Sequence, residues 1–127
     1  MATDFSGDLI GPHLDLISAR SKIGEEPAVR DMLGMLADLL AQDVPKIRQA
    51  LLSQDTAQAG RLLHSLKGCM PIFCTPPICD QVALAERYTK FGEPGMAQET
   101  YLLLGPALGA LELEIQLHLA KPAATLE

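Results

Sequence analysis

The sequence predicts an all-α fold: an up-and-down antiparallel four-helix bundle with an additional short N-terminal helix. Residue types, the spacing of the apolar residues, and the Gly and Pro that punctuate them carry the prediction. Leu, Ala, Glu, Gln, Met and Arg are plentiful, whereas residues that favour strands are sparse, with three Phe, two Tyr and no Trp. At 127 residues, 48% of them hydrophobic and 20% charged, the chain reads as globular. That length suits one domain able to bury a core without disulfides or metal. A single helical domain is expected over 1–120, followed by a frayed tail at 121–127 whose final Leu126-Glu127 has the form of a cloning remnant.

Asp8 to Arg20 holds Leu9, Leu14, Leu16 and Ile17 in an apolar-periodic run broken by Gly11-Pro12, so a short leading helix after those two should lid the bundle. Gly24-Glu25-Glu26-Pro27 is a turn into the second helix, with proline tolerated in the first turn and acids favoured there by the helix dipole. Val29, Met32, Leu33, Leu36, Leu39, Leu40, Val44, Ile47, Leu51 and Leu52 then keep a three-four spacing to Ser53. Pro45 removes one backbone bond and crowds the preceding turn, which predicts a kink or local break near Val44. Ser53 or Asp55 can cap a third helix from about Thr56 to Met70, where Ala59, Leu62, Leu63, Leu66, Met70 and then Phe73 form the buried stripe. Pro71 and Pro76-Pro77 bracket a segment that is not uninterrupted helix, and a fourth helix follows from about Pro77 through Phe91. Gly92-Glu93-Pro94-Gly95 reads as a turn before a last helix from about Met96 to Leu119, with a bend at Pro106. Short connections between successive amphipathic helices favour antiparallel neighbours.

Ten basic against sixteen acidic residues give a formal charge of −6, which works against broad binding to nucleic acid or anionic lipid and confines any basic site to a local patch. The opening Met-Ala-Thr-Asp-Phe-Ser-Gly-Asp lacks the positive start and apolar core of a secretion signal. The longest run free of charge and strong polarity, Tyr101 to Leu111, contains Gly and Pro and falls short of the ~20 residues of a spanning helix. A soluble cytoplasmic protein is expected. Cys69, Cys74 and Cys79 form an odd set without a C-x-x-C pair, which suits reduced thiols better than a disulfide frame. His64 extends their spacing, but residues five apart lie about 140° apart around a helix and do not converge on one ion. No metal and no cofactor is expected.

His64 lies about 150° from the centre of the third helix's apolar stripe and should face water. Gly60 and Gly68 lie one turn before and after it, Ala57 two turns before, and Lys67 at the adjoining i+3 position. Each interior Gly costs a helix about 0.5–1 kcal/mol relative to Ala, so two of them flanking one His oppose local stability. Close approach by a partner would account for them. The alternatives are a solvated surface His and glycines that pack against a neighbour. Imidazole suits a phosphoryl carrier, because much of it is neutral and nucleophilic at neutral pH and its phosphorylation is reversible. Lys67 could offset the charge of the arriving group, and Arg61 has a similar status.

His64-Ser65-Leu66-Lys67-Gly68-Cys69 resembles the signature of the histidine-containing phosphotransfer (HPt) family, H-x-x-K-G followed by a small residue. Glu26-Pro27 leading into Met32-Leu33 and Leu36, then Asp43-Val44-Pro45-Lys46-Ile47, Ala50-Leu51 and Asp55, is similar to the helix preceding that signature in bacterial members. Leu84-Ala85-Glu86 resembles the Leu-rich, Glu-bearing helix that packs against it, and the likeness spans roughly residues 9–119. The resemblance implies that His64 is the phosphorylated residue and that Lys67 stabilises charge. It further implies a docking surface of Ala57, Gly60, Arg61, Gly68 and Pro71, over which a receiver-domain aspartyl phosphate approaches and from which a second receiver takes the group away. The implied partners are response-regulator receiver domains and a hybrid sensor kinase; the magnesium ion belongs to the receiver, and the protein itself is a monomer. No Walker or kinase glycine loop is present, so the chain reads as a carrier without ATP-dependent kinase activity. Two departures, Pro71 two turns past His64 and Cys74 where the family has Gly, put the exit of the third helix in question.

A helical interaction adaptor in which His64 is incidental remains the competing class. A hydrolytic or acid-base enzyme is disfavoured, since His64 has no acidic or nucleophilic side chain on its face. His13 and His118 are assigned to other helices as structural or surface residues.

Overall fold

The apolar spacing resolves into helices at nearly the expected places. The computed structural model describes residues 11–91 and 94–121. They form α1 (Leu16–Ile23), α2 (Glu26–Leu52), α3 (Thr56–Cys69), a single 3-10 turn at Met70–Ile72, α4 (Pro76–Lys90) and α5 (Pro94–Leu119). α2, α3, α4 and α5 pack in sequence order, and α5 closes the ring against α2, which gives the antiparallel four-helix bundle; α1 lies on α2 and the 3-10 turn. Leu33, Leu40 and Ile47 of α2, Leu63 and Leu66 of α3, Ile78 and Val82 of α4, and Leu104, Leu108, Leu111 and Ile115 of α5 meet in the buried interior. Each such side chain contributes about 1.5–3 kcal/mol on leaving water.

Of the two candidate caps, Asp55 is the one used: its carboxylate accepts from Gln58 N at 3.1 Å and starts α3. Ser53 instead ends α2, its hydroxyl donating to Gln49 O. Gln54 between them takes a left-handed φ of 62°, the reversal that lets α3 fold back.

Several boundaries differ from expectation. Pro45 does not break its helix, since α2 is continuous through it, and α5 is likewise continuous through Pro106, where only a bend was expected. Leu40 and Ile47 are buried on either side of Pro45, and this packing outweighs the ~3 kcal/mol that proline costs a helix interior. The Tyr101 hydroxyl also donates to Val44 O at 3.3 Å. Pro94 and Gly95 belong to the first turn of α5 rather than to a turn before it, since proline fits a helix's first positions; Gly92 and Glu93 lie outside the described residues. The expected tail beyond Lys121 and the part of the leading segment at Asp8, Leu9 and Ile10 also lie outside them.

α1 starts later than Pro12 because the segment before it is used in pairing. Leu14 forms an antiparallel bridge with Cys74, Asp15 N donates to Phe73 O at 2.7 Å and Thr75 N donates to His13 O at 2.8 Å. His13 therefore lies in a bend just before the bridge, not in a helix, and its Nδ1 sits 2.7 Å from Glu114 Oε2. The span Gly95–Leu119 has the length and mean hydropathy, 1.2, of a membrane-crossing helix. In the bundle its Tyr101, Leu104, Leu108, Leu111 and Ile115 side is core.

His118, on that same helix, is 8% exposed, and neither ring nitrogen has a hydrogen-bond partner. Burial lowers its pKa below 6.5, helped by Arg30, Lys121 and Arg20 and opposed by Glu26. A base whose pKa is lower folded than unfolded favours the unfolded state once protonated. Its contribution is complete above pH 6.5 and is lost as the pH falls below that value. The thermal midpoint is expected to drop between pH 7.5 and pH 5.5, and His118→Gln should flatten that slope; an unchanged slope would reject the assignment.

Candidate functional site

With α3 started by Asp55, its Ala59, Leu63 and Leu66 turn inward and His64 is left on the outer surface, its side chain 66% exposed. The unexpected partner comes from α4. Along that helix Ile78, Val82, Ala85, Glu86 and Thr89 are buried, so a carboxylate occupies an otherwise apolar stripe, 2% exposed. Glu86 reaches the neighbouring helix: its Oε2 lies 2.8 Å from His64 Nδ1 and 3.1 Å from Lys90 Nζ, and its Oε1 accepts from Lys67 Nζ at 2.7 Å. Burial alone would raise the Glu86 pKa, but the hydrogen bonds from Lys67, Lys90 and His64 outweigh it and hold the group down at about 2.

This settles the proton arrangement on the imidazole. An ionised carboxylate only accepts, so Nδ1 carries the proton, and a neutral ring then has its lone pair on Nε2. The result is an exposed nucleophilic nitrogen whose ring orientation is pinned from behind.

In the sequence, the family resemblance ties Glu86 only to helix packing, and nothing singles out Lys90. The absence of an acidic side chain near His64 holds along α3 but not across the helix interface. The available signal was local: Glu86 continues the Ile78, Val82 stripe at a spacing of four, which places an acid where a core residue belongs. A buried acid requires nearby cations.

The two flanking glycines have different surroundings. A Cβ at Gly60 would stand 2.7 Å from Thr89 Oγ1, and that hydroxyl donates to Glu86 O at 2.6 Å. Gly60 is thus required for the close packing of α3 on α4. At Gly68 an added Cβ meets nothing within 4 Å, and the residue is exposed. Beside His64 a groove of about 430 Å³ is lined by Thr56, Ala57, Gly60, Arg61, His64, Glu86, Thr89 and Lys90. Ala57, Gly60 and Arg61 are thereby brought together with His64; Lys67, Gly68 and Pro71 lie outside the groove. Arg61 donates to Gln58 Oε1 at 2.6 Å and is exposed. Pro71 is also exposed, in the 3-10 turn that replaces α-helix just after Cys69, so the exit of α3 is altered as its proline predicts.

Elsewhere, Cys69, Cys74 and Cys79 are free thiols whose pKa values burial raises, which keeps them protonated at neutral pH. A larger cleft of about 570 Å³ between α2 and α5 is mainly apolar, lined by Val44, Leu51, Tyr101, Leu102 and Pro106 with Arg48 at its side. Its lining contains no histidine and no acidic side chain.

Among protein families, the model of the Hpt domain matches residues 31–120, a span from the first turns of α2 through the end of α5. No curated protein and no solved structure matches the chain.

Proposed function

Since the chain belongs to the Hpt domain family, we propose that it is the histidine phosphotransfer intermediary of a two-component phosphorelay, accepting a phosphoryl group from a receiver-domain aspartate on His64 and passing it to another receiver. One observation carries the reading: the His64 imidazole is exposed, and its Nδ1 is held by an ionised, buried Glu86. The Nε2 lone pair attacks phosphorus in line; the N–P bond forms as the P–O bond to the receiver's aspartate breaks, and the electron pair of that bond leaves with the carboxylate. The Nδ1 proton stays on the ring, which becomes positively charged, and Glu86 stabilises that charge from 2.8 Å. Lys67 offsets charge on the phosphoryl oxygens. Positioning and electrostatics carry most of such a transfer. The magnesium ion is assigned to the receiver, and the location to the cytoplasm where receivers act.

The test is to mix the protein with a panel of phosphorylated receiver domains and map acid-labile phosphate by mass spectrometry under neutral conditions. Phosphate on His64 supports the reading, and no transfer from any receiver to the folded protein counts against it. Lys67→Ala is expected to slow transfer at least ~10-fold without unfolding the bundle, because Lys90 still pairs with Glu86. Unchanged rates would make Lys67 a bystander.

A further inference from the structure

Two sides of α5 are apolar, and the bundle uses one of them. Tyr101, Leu104, Leu108, Leu111 and Ile115 face the core, yet Leu102, Leu103, Leu113 and Leu117 of the same helix are exposed, Leu102 at 73% and Leu113 at 55%. A surface helix ordinarily carries its charged residues on the outer side. On α5 the outer face runs from Leu102 through Pro106, Gly109 and Leu113 to Leu117 and is uncharged, while Glu114 is turned aside to hold His13.

This face is also symmetric along its length. Leu102 and Leu113 stand equally far from a midpoint between Ala107 and Leu108, with Pro106 and Gly109 inside them. An antiparallel two-fold through that midpoint sets Leu102 against the partner's Leu113 and Pro106 against the partner's Gly109. A Cβ added at Gly109 meets nothing within 4 Å, so two helices have room to approach there. The apolar cleft of about 570 Å³ between α2 and α5 opens beside Leu102, and the same operation brings the partner's Leu113 to its mouth. Charge agrees with this placement. Arg48 and Gly105 line the cleft, and Glu112 lies two turns beyond Gly105 on the same side of α5, so Arg48 of each copy comes level with the partner's Glu112. Exposed Glu99 falls opposite the partner's Gln116 rather than another carboxylate.

We propose that the outer face of α5 joins two copies of this chain in an antiparallel two-fold dimer, with Leu113 of each copy seated at the apolar cleft of the other. The proposal does not rest on the phosphotransfer reading, and it departs from the monomer that the family resemblance implies. It is compatible with that reading, because α5 packs on α2 and α4 and lies across the ring from α3. The two His64 surfaces therefore point away from the interface and stay open to partners.

The experiment is sedimentation equilibrium on the full chain over about 1–500 μM, with circular dichroism on each sample. The wild-type mass should rise from 13.6 kDa toward twice that value. Leu102→Glu and Leu113→Lys should each weaken the dimer at least ~10-fold without changing the helix content, since both side chains are exposed. A one-to-one mixture of the two variants should recover most of the lost affinity, because the antiparallel arrangement sets the new carboxylate against the new ammonium group. A wild-type mass of 13.6 kDa at every concentration would overturn the proposal, as would a dimer that neither substitution weakens. A mixture no tighter than the separate variants would reject the two-fold register. Growth beyond two copies would reject the closed interface, and a monomer that sediments with phosphatidylcholine vesicles would assign the face to lipid instead.

Discussion

Replacing His64 by Gln is expected to abolish acid-labile phosphate on the protein while leaving the bundle folded. The side chain is 66% exposed and contributes nothing to the core, and Glu86 keeps Lys67 and Lys90 as partners when the imidazole is gone. Among the described residues, the other imidazoles and the thiols are not placed to substitute. The thiols of Cys69, Cys74 and Cys79 are held protonated by burial, His13 is engaged by Glu114, and His118 is buried at the far end of α5. Labelling from a phosphorylated receiver, followed by peptide mapping, checks this. Full labelling of His64→Gln would defeat the assignment of the phosphorylated residue. If the variant loses phosphate yet keeps partner binding and biological output, the adaptor reading takes its place.

Gly68→Gln carries the second large effect, at least ~100-fold slower transfer with no loss of thermal stability. An added Cβ at Gly68 meets nothing within 4 Å, so the fold has room for the side chain, and exchanging Gly for a better helix former adds up to about 1 kcal/mol. The new side chain would project one turn past His64, where the proposed transfer brings a receiver within bonding distance of the imidazole. Transfer kinetics and a thermal melt on the same sample separate the effects. Normal transfer would reject the view that the bare surface at Gly68 serves docking. Gly60 is a poor site for this test. Any side chain there presses on Thr89, whose hydroxyl is bonded to the backbone of Glu86, so a slower Gly60 variant would report on the carboxylate's position as much as on steric access.

The contrast between the two glycines shows where reading along the chain succeeds. From the helix period alone both were legible as neighbours of an outward-facing histidine. Their symmetry in sequence concealed an asymmetry in space, since Gly60 faces α4 and Gly68 faces open surroundings. Pro45 teaches the same lesson from the other side: local rules allow a break there, yet α2 is continuous, with Leu40 and Ile47 buried on either side. Pro71 follows the local rule, because the 3-10 turn that holds it, Met70–Ile72, already lies at the end of α3.

By itself the sequence determined the helices, their order in the bundle, the outward face of His64, and the placement of Lys67 and Gly68 within about one turn of it. These properties depend on spacings of three and four residues, which a helix converts directly into faces. Tertiary structure alone decided that Glu86 and Lys90, more than twenty residues away on another helix, complete the site, that Gly60 belongs to packing, and that residues 13–15 pair with 73–75. Such contacts depend on how one helix is rotated against the next, and a change of one residue in that register turns a side chain through about 100°. A single strand of sequence does not carry that rotation; the packed bundle does.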